Sequence, residues 1–108
     1  MNEERPLLDT VMEMTAASMS NSNLAARDLM MVRLAALAAV DAPPSSYLLN
    51  LAAAVDAGLT LEDARAVLIA VAPIIGTPRT VSAAGAIANA LGFALALEEA
   101  IEDGQAQA

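Results

Sequence analysis

Apolar residues recur at helical spacing along most of the chain, and no segment alternates with the period of two that marks a half-buried strand. Pro6 suits the first turn of a helix running to about Met19, with Leu7, Leu8, Val11 and Met14 on one side. The polar stretch Ser18 to Asn23 ends it, and Asn23 or Ser22 is placed to cap a second helix from Leu24 to Val40, where Met30, Leu34, Leu37 and Ala38 repeat. Asp41-Ala42-Pro43-Pro44 stops that helix, because a residue before proline is pushed out of the α region.

Pro44 and Ser45 open a third helix carrying Tyr47, Leu48, Leu51, Ala52 and Val55, and Gly58 fits the position just past its end. Thr60-Leu61-Glu62-Asp63 is the clearest cap in the chain: the Thr hydroxyl accepts from the amide of residue 63 and the Asp carboxylate answers. Leu61, Ala64, Leu68 and Val71 mark the buried face of the fourth helix, and Pro73 is expected to loosen its last turn before Gly76. Thr77 as cap and Pro78 as first residue begin a fifth helix to about Leu91, and after Gly92 the segment Phe93 to Ile101 forms a last one. The pattern is all-α, with five to six helices in one domain: an N-terminal helix and connector over 1–22, the main helical domain over 23–102, and a fraying tail over 103–108.

Composition adds an expectation about assembly. The 108 residues are 57% hydrophobic and 17% charged, whereas a folded chain of this mass exposes roughly 5,600 Å². Its 5 basic and 13 acidic side chains are too few to cover that area, so part of the apolar excess is expected to be shielded by further copies. Thr80 to Leu97 carries no charge and approaches the length of a bilayer span. It contains Ser82, Gly85, Asn89 and Gly92, is rich in Ala rather than Leu or Ile, and lacks basic flanks, so it reads as a helix buried within an assembly and not as a membrane segment.

A net charge of −8 with no Lys/Arg cluster repels phosphate backbones, which argues against nucleic acid as a partner. Zero Cys and zero His remove disulfide and thiol chemistry, thiolate and imidazole metal sites, and the commonest neutral-pH base, so neither metal nor cofactor is expected. The acidic start Met1-Asn2-Glu3-Glu4-Arg5, with no apolar run behind it, does not resemble a signal peptide and points to a cytoplasmic location.

The segment Ala57-Gly58-Leu59-Thr60-Leu61-Glu62-Asp63, then Ala72-Pro73-Ile74-Ile75-Gly76-Thr77-Pro78-Arg79 and an Ala-rich helix, resembles the carboxymuconolactone decarboxylase family, which includes the AhpD-like alkylhydroperoxidases. The likeness spans roughly Leu24 to Leu91. It implies a helical core around an antiparallel helical hairpin and assembly into a homo-oligomer, a trimer or hexamer. Redox members of the family carry C-x-x-C, a His four residues beyond it and an upstream proton-relaying Glu. Counting back from Gly58, those places hold Pro43, Ser46, Asn50 and, if loop length is conserved, Met31. None of the four supplies a thiolate or titrates near neutral pH, which disfavours peroxidase activity, and the lack of His also puts the decarboxylase chemistry in doubt.

Four residues stand out as ligand-binding candidates. Arg33 interrupts an apolar helix face and either holds a ligand carboxylate or pairs with Asp28 or a neighbouring subunit. Tyr47 and Asn50 share a helix face and either present a hydroxyl and an amide to a ligand or belong to the core and local bonding. Arg79 lies beside a helix N-terminus where an anion would sit, or is simply solvated or paired across an interface. Glu62 and Asp63 are better explained by capping than as a paired carboxylate site, and Met12, Met14, Met19, Met30 and Met31 fill core or line an adaptable apolar pocket. Catalytic residues are not identifiable. A small-molecule binder, a cofactor-independent lyase or isomerase acting through Tyr47 or Asp28, and a purely structural subunit all fit the chain.

Overall fold

Proline at the first turn, a Thr cap and helix-favouring Ala and Leu between them produce five helices in the computed structural model, which describes residues 5–107. They are α1 (Pro6–Asn21), α2 (Ala26–Ala39), α3 (Pro44–Asp56), α4 (Leu61–Ile75) and α5 (Thr77–Gln107), with no strand among the described residues. The acidic start Met1 to Glu4 and the last tail residue, Ala108, lie outside those residues.

Helices α2 and α5 form the inner pair, each packed against the other and against both α3 and α4. The contact surface of α5 is made of alanines three and four apart, Ala83, Ala86 and Ala90, which lie on one face and let the neighbouring backbones come close. Ala83 meets Ala38 and Leu68, with Ile75 and Ile87 packed on them. Ala86 and Ala90 meet Tyr47, surrounded by Leu34, Leu37, Leu48 and again Ile87, so one isoleucine joins the two halves of the core.

Turn chemistry holds the connections. Gly58, at φ +85, closes α3 in a Schellman motif in which its N–H reaches the Val55 carbonyl at 3.0 Å and that of Leu59 reaches Ala54 at 3.0 Å. Asp41 does the same for α2 with φ 54, a region that usually calls for glycine; Asp41 and Ala42 donate to Ala38 and Leu37. Its carboxylate accepts from the Ser82 hydroxyl at 2.5 Å, which ties the α2–α3 turn to α5. Thr60 makes the expected capping box, its Oγ1 accepting from the Asp63 N–H at 3.2 Å while Asp63 Oδ2 accepts from the Thr60 N–H at 2.8 Å.

Several boundaries differ from those read in the sequence. Neither Asn23 nor Ser22 caps α2: Ala25 takes that position, and the Ser22 hydroxyl accepts from Leu24 N–H at 3.3 Å within the connector. The start of α5 is set by Gly76, whose carbonyl accepts from the Thr80 N–H at 3.1 Å, so Thr77 is already helical. Pro73 is accommodated inside α4, which runs on to Ile75. Gly92 does not break α5, because an interior glycine costs only about 1 kcal/mol against alanine and the flanking Ala and Leu carry the helix through to Gln107.

Burial is the larger departure. Helix α1 buries no residue, leaving Leu7, Val11 and Met14 exposed, and of the five methionines in the sequence cluster only Met30 is in the core. Of the expected α4 face Leu68 is buried, Ala64 and Val71 are half-buried and Leu61 is exposed, and Val67 is buried beside Leu68. On length and composition Thr77–Gly104 would suffice to cross a membrane, and 17% of its most apolar stretch is buried within the chain. The protein exposes 7450 Å², well above the roughly 5,600 Å² of a compact domain of its mass. Its radius of gyration of 15.5 Å likewise exceeds the ~13 Å expected.

The two glycines make opposite predictions. A Cβ at Gly92 meets no atom within 4 Å, so Gly92→Ala is expected to raise unfolding stability by about 0.5–1 kcal/mol. Gly58→Ala forces an L side chain into φ +85 and is expected to cost at least about 1 kcal/mol. Urea denaturation of both variants measures the contrast, and a loss at Gly92 would mean that α5 does bend there.

Candidate functional site

The small alanines of α5 leave volume between the helices. A cavity of about 170 Å³ lies among α2, α3, α5 and the start of α4. Its walls are almost wholly apolar, with Leu34, Leu37, Leu51, Ile87 and Leu91 among them. The polar exceptions are Arg33 from α2, Tyr47 and Asn50 from α3, and Thr60 at the cap of α4.

Arg33 is half-buried, and its guanidinium donates from Nη2 to Ser18 Oγ at 2.9 Å and from Nη1 to Asn50 Oδ1 at 3.4 Å. The second distance is near the limit of a hydrogen bond and therefore weak. Both partners are neutral, and neither Asp28 nor any other described carboxylate forms an ion pair with it. Asn50 is oriented by its own Nδ2, which donates to the Ser46 carbonyl one turn earlier at 2.9 Å and leaves Oδ1 facing the arginine.

Tyr47 is buried, with 6% of its surface exposed, and its hydroxyl has no hydrogen-bond partner among the described residues. Burial, and secondarily the charge of Asp41, pushes its pKa up, so the phenol stays protonated as a donor at neutral pH. A buried hydroxyl without an acceptor forfeits the hydrogen bond it made to water.

Other candidates fall elsewhere. Arg79 is exposed, donates to the Ile75 carbonyl at 3.4 Å and does not line the cavity. Pro43 sits at the N-cap of α3, Ser46 offers its backbone carbonyl to Asn50, and neither they nor Met31 line the cavity. Of Met31, Pro43, Ser46 and Asn50, only Asn50 lines the cavity.

Sequence reasoning missed Arg27. Its guanidinium grips Asp63 in a bidentate pair, at 2.6 Å to Oδ1 and 3.0 Å to Oδ2, and donates to the Gly58 carbonyl at 3.1 Å. One arginine thereby fastens α2 to the end of α3 and the start of α4, beside the Thr60 edge of the cavity. The capping box had accounted for Asp63 through one oxygen; the other was the available signal.

The carboxymuconolactone decarboxylase family model, CMD, matches residues 5–89. The chain belongs to this family. The match takes in α1 and all but the last two residues of the Leu24–Leu91 stretch that carries the motif likeness, and it ends within α5. No curated protein and no solved structure matches the chain. The capped α4 start and the Gly76-Thr77-Pro78-Arg79 turn both lie within the matched residues.

Asp63 makes this CMD domain acid-sensitive. The Arg27 pair, with the Thr60 amide, lowers its carboxyl from 3.8 to about 2. A carboxyl depressed on folding contributes stability that is complete above its ordinary value and lost as pH falls through its folded one, so this contribution disappears between about pH 4 and pH 2. Asp63→Asn is expected to lower the melting temperature at neutral pH and to flatten its decline across that window. Thermal unfolding of both proteins from pH 2 to pH 7 tests this, and parallel curves would show that Asp63 is not the group responsible.

Proposed function

We propose that this CMD-family protein is a cytoplasmic homo-oligomer, a trimer or hexamer, that binds a small apolar or anionic molecule in the α2–α5 cavity and performs no thiol redox chemistry. The observation that carries this reading is an apolar cavity among α2, α3, α4 and α5 whose lining includes Arg33, Tyr47 and Asn50. A purely structural subunit is expected to fill such a volume with Leu, Met and Ala. The exposed apolar side chains of α1, α4 and α5 support the assembly, since Leu7, Ile74, Val81 and Phe93 are all more than half exposed in the single chain. The absence of Cys supports the exclusion of peroxidase chemistry.

A second reading, a cofactor-independent lyase or isomerase, draws on the same hydroxyl. Tyr47 lines the cavity and its phenol stays protonated at neutral pH, the state a proton donor needs. It shares the cavity and differs only in turnover.

Thermal-shift screening against lactones, aromatic acids and acyl compounds is the test. A ligand at 100 times its Kd stabilises by about 2.7 kcal/mol, a shift of several degrees. Failure of every class to shift the melting temperature would remove the binding reading, and product formation from a stabilising compound would favour the enzyme. Light scattering is expected to give a multiple of 11.0 kDa, and alkyl hydroperoxide is expected to survive incubation with the protein unchanged.

A further inference from the structure

The seam by which α5 enters the core continues past the end of the core. Ala83, Ala86 and Ala90 are buried, and the same spacing of three and four runs on through Ala94, Leu97 and Ile101. Ala94 is half-buried, whereas Leu97 and Ile101 are 52% and 53% exposed. With Phe93, and with Leu48 of α3, they line an apolar groove whose two charged residues are both acidic, Glu98 and Glu102. The α5 side of this groove lies beyond residue 89, outside the stretch that the family model describes.

Helix α1 supplies the complementary shape. It buries no residue, and Asp9 alone among its side chains is not exposed. Leu7, Val11 and Met14 form one apolar face at helical spacing, while Asp9 and Glu13 stand one turn apart on the other side. Arg5 is at the N-cap and pairs with no described carboxylate. No helix of its own chain packs broadly on α1.

Charge decides which surface meets which. Two α5 ends brought face to face would set Glu98 and Glu102 against the same acids of the other copy, a repulsive arrangement. The apolar face of α1 carries no carboxylate, and its N-terminal end brings both Arg5 and the positive pole of the helix dipole. Surface is sufficient as well. The 7450 Å² exposed by the single chain exceeds the roughly 5,600 Å² of a compact domain by enough for two halves of a standard interface, at ~800 Å² each.

We propose that α1 of one protomer lies in the groove between α3 and the α5 end of the next, its Leu7, Val11 and Met14 against Phe93, Leu97 and Ile101, and Arg5 beside Glu98 and Glu102. Arm and groove are different surfaces, so the contact is heterologous, and its repetition closes a ring rather than a two-fold dimer. This rests on the homo-oligomer reading and adds which surfaces build it.

Light scattering and sedimentation of the full chain test the contact with Met14→Glu on the arm and Leu97→Glu in the groove, both at positions exposed in the single chain. A carboxylate buried at the centre of an apolar contact is expected to weaken association at least about tenfold, so each variant alone falls to a lower mass with its circular dichroism unchanged. An equimolar mixture of the two is expected to recover a larger species, because each keeps the half that the other has lost. Arg5→Glu is expected to weaken the assembly several-fold, and adding Glu98→Arg with Glu102→Arg to restore it; should either glutamate variant not fold, this charge exchange decides. Native mass in both glutamate variants, or a mixture no larger than its components, overturns the arm-in-groove contact and leaves the homo-oligomer built on another surface. A native protein that stays a single chain removes both.

Discussion

Alanine at the inner face of α5 is the constraint on which the rest depends. Ala83, Ala86 and Ala90 have too little side chain to hold α2, α3 and α4 at a distance, so three helices close around a fourth with few large groups between them. The outcome is a core of nine buried residues, four of them alanine, and a set of bulky side chains that face outward because no inner position remains for them. Where the closure is incomplete, beside Ile87 and Ala90, volume is left over. Cavity and exposed apolar surface are thus two results of one packing choice.

Such a core has little hydrophobic reserve, and specific polar ties carry part of the burden of fixing the helices. Arg27 gathers α2, the α3 terminus and the α4 cap into one node through Gly58 and Asp63. Asp41, held at an unfavourable φ, is bound by Ser82 across to α5. Both ties sit at turns, where they set the angle at which the next helix leaves. The cavity between them inherits its shape from these ends.

Features decided by neighbours along the chain were legible in the sequence. The Thr60–Asp63 box, the Gly58 terminus and the proline starts of α1 and α3 depend on a few adjacent residues and stand where the pattern put them. The convergence of Arg33, Tyr47 and Asn50 on one cavity was also foreseeable, since helical spacing and the turn between α2 and α3 bring those positions together. What failed involved competition between distant terms. Gly92 has the local look of a stop, yet the flanking Ala and Leu outweigh it. The Arg27–Asp63 pair joins residues 36 apart on two helices, and periodicity gives no hint of it. The apolar stripe of α1 was legible as a stripe, but periodicity shows only that a face is apolar and not what covers it.

That last feature reaches beyond the single chain. Because α1 is joined through the short Ser22–Ala25 connector and, apart from the Ser18 hydroxyl that accepts from Arg33, adds no buried residue to the domain behind it, a substitution at Leu7, Val11 or Met14 leaves the interior of its own protomer untouched. Natural variation there is free to alter who the protein associates with while the enclosed chamber drifts on a separate schedule. Relatives that share the chamber can therefore differ in quaternary architecture, and the two properties can be inherited independently.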